Sequence, residues 1–410
     1  MRRILVPLAL ALCAGCHVGN NLSDAASDAG TSAFYYQSGG TATVSGKTAT
    51  VSGADQSAVC VANGGTLNLS TTTLLTSGST SSVADSVDVG LNAAVLAKSA
   101  STINLASCSV STSGTGAAGV FATSGSAANL SGVTVMTTGA HGLGVAATLG
   151  GALSLADCTV TTAGADAAAV GMYDGTGTVT VIGGALTTSG AGSPVIHSQG
   201  AVSVQDATLT ASASDAAEIQ GGHSITLTGS TLSSTGSGTR AVLIQQASGT
   251  AQAAFTMTGG SLSAASGPLF FVTGFEGAIS LQGVALGAGS GVLVEASAGS
   301  AALAAVGQAM AGDLVTDDDA SAIAATLSGG SALRGVIDRA ALTLDAASSW
   351  TLTGTSRLTT LADAAGINTG AVSNITGNGH SVTYDATLAG NAYLAGATYT
   401  LAGGGQLLPE

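Results

Sequence analysis

Hydrophobic residues recur along this chain in short alternating runs, not in helical stripes. Segments reading apolar-x-apolar centre on Leu69, Leu105, Leu130, Leu155, Val181, Val204, Leu227, Met257 and Leu281. From Leu105 onward the steps are 25, 25, 26, 23, 23, 30 and 24 residues, a period that signals a solenoid or repeat array. Two further apolar columns run in phase. Five residues after each anchor from Leu105 come Val110, Val135, Val160, Leu186, Leu209, Leu232, Leu262 and Leu286. Fifteen after come Val120, Val145, Val170, Ile196, Ile219 and Val242, and the third segment of the next two repeats reads PLFFV and GVLVE. Within each segment the apolar residues alternate with Ser, Thr, Asn or Gly, as in a half-buried strand. Between segments lie TSGTGAAG, TTGAHGLG and TTAGADAA, which are turn material. The pattern predicts an all-β fold: a single-stranded parallel β-helix with about three strands per coil, coils of roughly 23–30 residues, and inward side chains stacked in ladders.

The register divides the chain. Residues 1–15 read as a signal peptide, 16–34 as a polar tether, and 35–299 as regular coils, beginning with the irregular TVSGKTATVSG. The step from Leu69 to Leu105 is 36 residues, which makes STSSVADSVDVGL an extended turn. Residues 300–347 read as irregular coils or, around AALAAVGQAMAG, a short helix. Residues 348–410 read as the final coils and a cap.

The first twenty residues, MRRILVPLALALCAGCHVGN, have a basic start, an apolar core and small residues before a cysteine. That is the pattern of a secretory signal peptide, too short to span a membrane. Its end resembles a bacterial lipobox. Ala14, Gly15 and Cys16 match, while Cys13 stands where a leucine is usual. The resemblance implies lipidation of Cys16 and an exported protein, placed as an outer-membrane lipoprotein, at the cell surface or outside the cell. No other segment has the ~18 apolar residues of a transmembrane helix.

Composition narrows the function. Apolar residues make up 45% of the chain, but only 7% are charged and 3% aromatic, with 61 glycines. Low charge argues against solvated disorder. The formal net charge is −14, and removing Arg2 and Arg3 with the leader takes it to −16. The six remaining cations, Lys47, Lys98, Arg240, Arg334, Arg339 and Arg357, form no run. Nucleic-acid binding, which works by displacing counterions with clustered cations, is excluded.

The stretch SSWTLTGTSRLTTL holds the only tryptophan, Trp350, and alternates strictly. It resembles the Trp-x-Leu/Val…Ser-x-Leu/Val motif near the end of pertactin-like autotransporter passenger domains. The glycine-rich coils before it are similar to those passengers over most of residues 35–410. The resemblance implies a surface-displayed, right-handed β-helix, often an adhesin. Autotransporters finish with a membrane barrel, and this sequence reaches Glu410 without one, so a lipid on Cys16 is the expected means of attachment.

No catalytic, cofactor-binding or metal-binding set can be assembled from the sequence. GTGAAG at 114–119 fits a dinucleotide-binding glycine pattern but falls in a coil turn, not between a strand and a helix. GGTATVSGKT at 39–48 approaches a phosphate loop, yet five residues separate Gly40 from the Gly-Lys-Thr and no helix follows. TDDDAS at 316–321 offers Asp317, Asp318 and Asp319 to a hard cation, against the simpler reading of a solvated loop or the cap of a helix beginning near Ala320. Asp157 and Asp206 occupy equivalent places two coils apart, as do Asp166 and Asp215 on the same count. At ~4.8 Å per coil each pair is ~10 Å apart, slightly beyond the range of inverting glycosidase carboxylates. The histidines, His17, His141, His197, His223 and His380, have no zinc-site spacing. Cys108 and Cys158 share a column with Val133 between them; two coils are too far for a disulfide, so the three form a packing ladder.

The best candidate surface is hydroxylic. Ser109, Thr134, Thr159, Thr208, Thr231 and Ser261 form one outward column, and Ser111, Thr161, Thr187, Thr210, Ser233 and Ser263 a second, interrupted by Ala185 and Met136. The expectation is a non-enzymatic surface or secreted β-helix, an adhesin or structural exoprotein, with glycans or host and matrix proteins as partners and no cofactor. Two alternatives stand beside it. One is a carbohydrate-active β-helix, a polysaccharide lyase or hydrolase; the other is a Ser/Thr-ladder binder of glycan or ice.

Overall fold

A computed structural model describes residues 26–28, 31–245 and 251–410. The chain is a parallel β-solenoid of about 15 turns with three sheets and almost no helix. Each regular coil visits the sheets in one order. Thr102–Ala106 lies in sheet B, Ser109–Thr112 in sheet C and Val120–Ala122 in sheet A, and Ala127–Ser131 returns to sheet B one coil on. Among the described residues sheet A has thirteen strands, from Ala26–Asp28 to Asp313–Thr316, and sheet C ten, from Thr48–Val51 to Ala285–Ala288.

The anchor column is realised residue for residue. Leu69, Leu105, Leu130, Leu155, Val181, Val204, Leu227, Met257 and Leu281 pair in succession along sheet B. The second column stacks the same way from Val110 to Leu286. Alternation puts these side chains inside and their neighbours outside, and the inward residues merge into one continuous core.

The third column holds with one correction. Ile196 pairs with Ala217, not Ile219; Ile219 pairs with Ser198 and Ile244. The turn before Ala217 is two residues shorter than its predecessors, so a fixed count of fifteen overshoots. A slip of two keeps the same face inward, so the alternation is undisturbed. Asp166 and Asp215 are therefore not equivalent: Asp166 is four residues before its strand's first core residue, Val170, whereas Asp215 is two before Ala217.

Coils also vary more than the core repeats suggest. Leu327 pairs with Leu344, a step of 17, and Leu342 with Leu361, a step of 19, because sheet A has dwindled to a single bridge from Leu314 to Ile337. Residues 300–344 carry strands, including Ser300–Val306 over the AALAAV stretch, and no helix. The 36-residue coil holds more than an extended turn. It contains helix α1 (Val83–Val89), with the Ser82 hydroxyl capping the Asp85 N–H and Gly90 closing the end at φ 76°.

Two turn devices set the coil stacking. At the B-to-C corner each regular coil has at least one left-handed residue, and one column of them includes Ser107, Gly132, Asp157, Gly183, Asp206 and Gly229. Aspartate tolerates that conformation better than most side chains, and a Cβ on Gly183 would sit 2.3 Å from Asp157 Oδ1. Glycine and aspartate therefore alternate, which explains the two-coil spacing of Asp157 and Asp206 without chemistry. At the end of sheet C, Gly78, Gly114, Gly139, Gly164 and Gly190 stack directly. A Cβ on Gly139 would lie 1.9 Å from the Gly114 carbonyl oxygen, and each of the others meets the glycine before it equally closely. Beside them Thr112, Thr137 and Thr162 point inward and donate their hydroxyls to the carbonyls of Ala117, Gly142 and Ala167 at 2.7, 2.6 and 2.5 Å. These bonds offset the desolvation cost of turning each loop back over the core.

Cys108, Val133 and Cys158 form one buried column, and no disulfide is present among the described residues. Burial pushes both thiols up from their ordinary range. The last coils close on Trp350, which is fully buried between Leu333 and Ile375 and donates its indole N–H to the Gly335 carbonyl at 3.0 Å. Antiparallel pairing of Tyr399 with Leu407 and an Arg357–Glu410 ion pair at 2.8 Å finish the C-terminal end.

Candidate functional site

The motifs singled out in the sequence land in separate places. GTGAAG lies in the turn between Ser109–Thr112 and Val120–Ala122, and GGTATVSGKT spans a turn, the strand Thr41–Ser45 and a second turn. TDDDAS caps no helix, since the strand Ala322–Ser328 follows it directly. Asp318 instead accepts from the Ala298 and Ala320 N–H groups and the Ser321 hydroxyl, and those bonds hold its carboxyl below the usual range. Asp319 pairs with Arg339 rather than with Arg334, the arginine nearest in sequence. Among the described residues no group of three His, Cys, Asp or Glu is placed to hold a metal ion. Cys16 lies outside the described residues.

The hydroxyl columns do face outward on sheet C and stack in register, with contacts such as Ser261 Oγ to Thr231 Oγ1 at 3.1 Å and Ser233 Oγ to Thr210 Oγ1 at 3.2 Å. Exposed Met136 and Leu75 interrupt them. The more organised surface is the outer face of sheet B. Asn68, Asn104 and Asn129 stack there, Asn104 Nδ2 donating to Asn68 Oδ1 and Asn129 Nδ2 to Asn104 Oδ1, both at 2.8 Å. Asn68 Nδ2 reaches on to Thr43 Oγ1 at 3.4 Å. The column beside them is small: Ser70, Ala106, Ser131 and Ala156. Tall amides beside short side chains form a groove of about 470 Å³ running across the coils. A primary amide has two donors and two lone pairs. Within the ladder Asn104 uses one of each, which leaves it one N–H and one lone pair.

The sequence carries a signal for this column. The residues one before each anchor are Asn68, Asn104, Asn129, Ser154, Thr180, Ser203, Thr226, Thr256 and Ser280, without an apolar member. Counting forward from the anchors leads toward sheet C and misses it.

The outer face of sheet A differs. Its first coils carry Cys60, Leu96, Phe121 and Ala146 outward, and the C-to-A turns fold over them with Ala93, Ala118, Leu143 and Ala168 to make a second apolar layer. Tyr173 ends the layer by stacking on His197, ring centroids 4.4 Å apart. His197 Nδ1 meets Glu218 Oε2 at 3.2 Å, and Gln245 donates to the other Glu218 oxygen. Burial pushes Glu218 up, but the hydrogen bonds and charge of His197, with help from Gln245 and Arg240, outweigh it and hold the carboxyl below its usual range. Arg240 pairs with Asp215 at 2.8 Å and lies over the Phe271 ring, 5.0 Å from its centre.

A histidine oriented by a carboxylate is half of a general-base arrangement. The remaining half is absent from the geometry: His197 Nε2 is buried and has no hydroxyl or thiol as partner. The cluster instead seals the end of the apolar layer, with both Glu218 oxygens bonded by His197 and Gln245. No single residue foretells it, because its members come from separate coils.

No protein-family model matches the chain, and neither the curated proteins nor the solved structures contain one similar to it beyond chance.

Proposed function

We propose that this chain is an exported, non-enzymatic β-helix of the adhesin or structural type, akin to an autotransporter passenger, and that it binds an extended glycan along the outer face of sheet B. The observation that carries the reading is the amide ladder. It offers uncharged donors and acceptors on three successive coils, one strand spacing of ~4.8 Å apart, held in place before any ligand arrives. A polyhydroxylated chain has both donors and acceptors along its length and needs no charge on its receptor. Pre-ordered side chains reduce the entropy lost on binding. The groove's lining includes no charged side chain, so the face presents little charge of its own.

Retention of the protein on immobilised polysaccharides tests the site. Replacing Asn104 and Asn129 by leucine is expected to weaken retention about tenfold or more, on the order of 1.4 kcal/mol, whereas Thr210→Val on sheet C should leave it unchanged. Equal retention of the ladder variant would count against the face. Attachment is proposed to run through a lipid on Cys16. Cys16→Ser is expected to move the protein from the membrane fraction to the soluble exported fraction, and an unchanged distribution would remove the anchor from the account.

A further inference from the structure

The 36-residue coil is eleven residues longer than the 25-residue coil that follows it, and the extra chain builds something. Insertions into a repeat array collect on one face and often mark where it binds. Here helix α1 arches over the outer side of sheet A and borders a half-open cavity of about 370 Å³. Gly90 makes the arch possible. It sits at φ 76°, and a Cβ there would lie 2.7 Å from the Phe121 ring and 2.8 Å from Leu96, so only glycine lets the helix end descend onto the sheet.

The lining is amphipathic in a specific way. Leu96, Val89 and Leu91 form an apolar side, Asp55 and Asp85 bring carboxylates, and Lys98 brings one ammonium group. The Asp55 carboxylate is fixed by the Ser81 N–H at 2.7 Å and the Thr80 hydroxyl at 3.2 Å, both through Oδ1. Asn92 in the wall is 1% exposed; its Nδ2 donates to the Gly78 carbonyl at 2.7 Å, while its Oδ1 has no partner. The site is therefore richer in acceptors than in donors and carries an excess of negative charge.

We infer that this cavity is a binding site for a single amino-sugar unit, a polyhydroxylated ring bearing a primary ammonium group. A pyranose ring has an apolar face for Val89 and Leu91, hydroxyls that both donate and accept, and in a hexosamine a cation for the two aspartates. A neutral sugar leaves the carboxylate excess unanswered. A simple alkylamine answers the charge but offers no hydroxyl to Ser124, which also lines the cavity. The cavity is on the sheet A side, away from the amide ladder, and the inference does not rest on the proposal for that face.

The test titrates the whole exported chain with glucosamine, glucose, N-acetylglucosamine and butylamine, following ligand-observed NMR and calorimetry. Glucosamine is expected to bind about tenfold or more tightly than the other three, the scale of one charge-assisted hydrogen bond. Asp85 is exposed, so Asp85→Asn should keep the fold and lose that preference. Val89→Trp, which fills the cavity from the helix side, should abolish binding with an unchanged circular dichroism spectrum. The inference is overturned if glucosamine shows no preference over glucose, if no probe binds, or if binding survives in both folded variants.

Discussion

Replacing Gly139 by alanine is expected to destabilise the central coils by about 3 kcal/mol or more, at or beyond the upper end of ordinary overpacking. The reason is geometric. The new Cβ would lie 1.9 Å from the Gly114 carbonyl oxygen, and both partners are backbone, so no side-chain rotation relieves the contact. The strain can be released only by parting two coils whose strands are hydrogen-bonded on both sides of the turn. Each coil touches mainly its neighbours, so damage of this kind stays local before it spreads. Hydrogen exchange resolved along the chain is the appropriate measurement. Amides of the coils carrying Gly114, Gly139 and Gly164 should lose protection first. Gly46→Asn is the matched control. Gly46 has φ 63°, and a Cβ added there would meet no atom within 4 Å, so asparagine should cost little. Equal effects at the two sites would contradict the stacking account.

Trp350→Ala is expected to cost about 3–5 kcal/mol in the C-terminal coils, the range for removing a large buried aromatic. The substitution empties the space between Leu333 and Ile375 and strands the Gly335 carbonyl. Trp350→Phe separates the two contributions. It keeps most of the ring and loses the N–H bond, so it should cost about 1–3 kcal/mol through the unpaired carbonyl. Denaturant unfolding followed by exchange at residues beyond 348 reads both. The single tryptophan also makes the wild type its own reporter: its fluorescence should be blue-shifted when folded and shift red as these coils open. An alanine variant with fully protected C-terminal coils would contradict the packing role.

Much of this fold is legible in the sequence because a solenoid repeats one local decision. Each anchor from Leu69 to Leu281 faces the same neighbours, so the alternation around Leu105 is evidence about Leu130 and Leu155 as well. The features that escape a sequence reading are those that break the repeat. Two residues missing before Ala217 move Ile219 out of its expected column, and hydrophobic alternation cannot register a shift of two. Helix α1 is hidden because seven residues give too little periodicity to set against a turn, although Ser82 and Gly90 stand at its two ends. The Asn ladder is visible as a column, but its worth lies in the amide-to-amide bonds, which appear only when the coils are stacked. The His197–Glu218–Gln245 cluster draws on separate coils and has no sequence signature at all.

The central functional claim is that the face of sheet B binds an extended glycan without transforming it. The most direct measurement incubates the protein with each polysaccharide that retains it and assays the same samples for new reducing ends and unsaturated products. Saturable retention, weakened by the Asn104/Asn129 variant and accompanied by no product, is the predicted result. Product that accumulates in proportion to protein and time would contradict the claim and make this β-helix an enzyme.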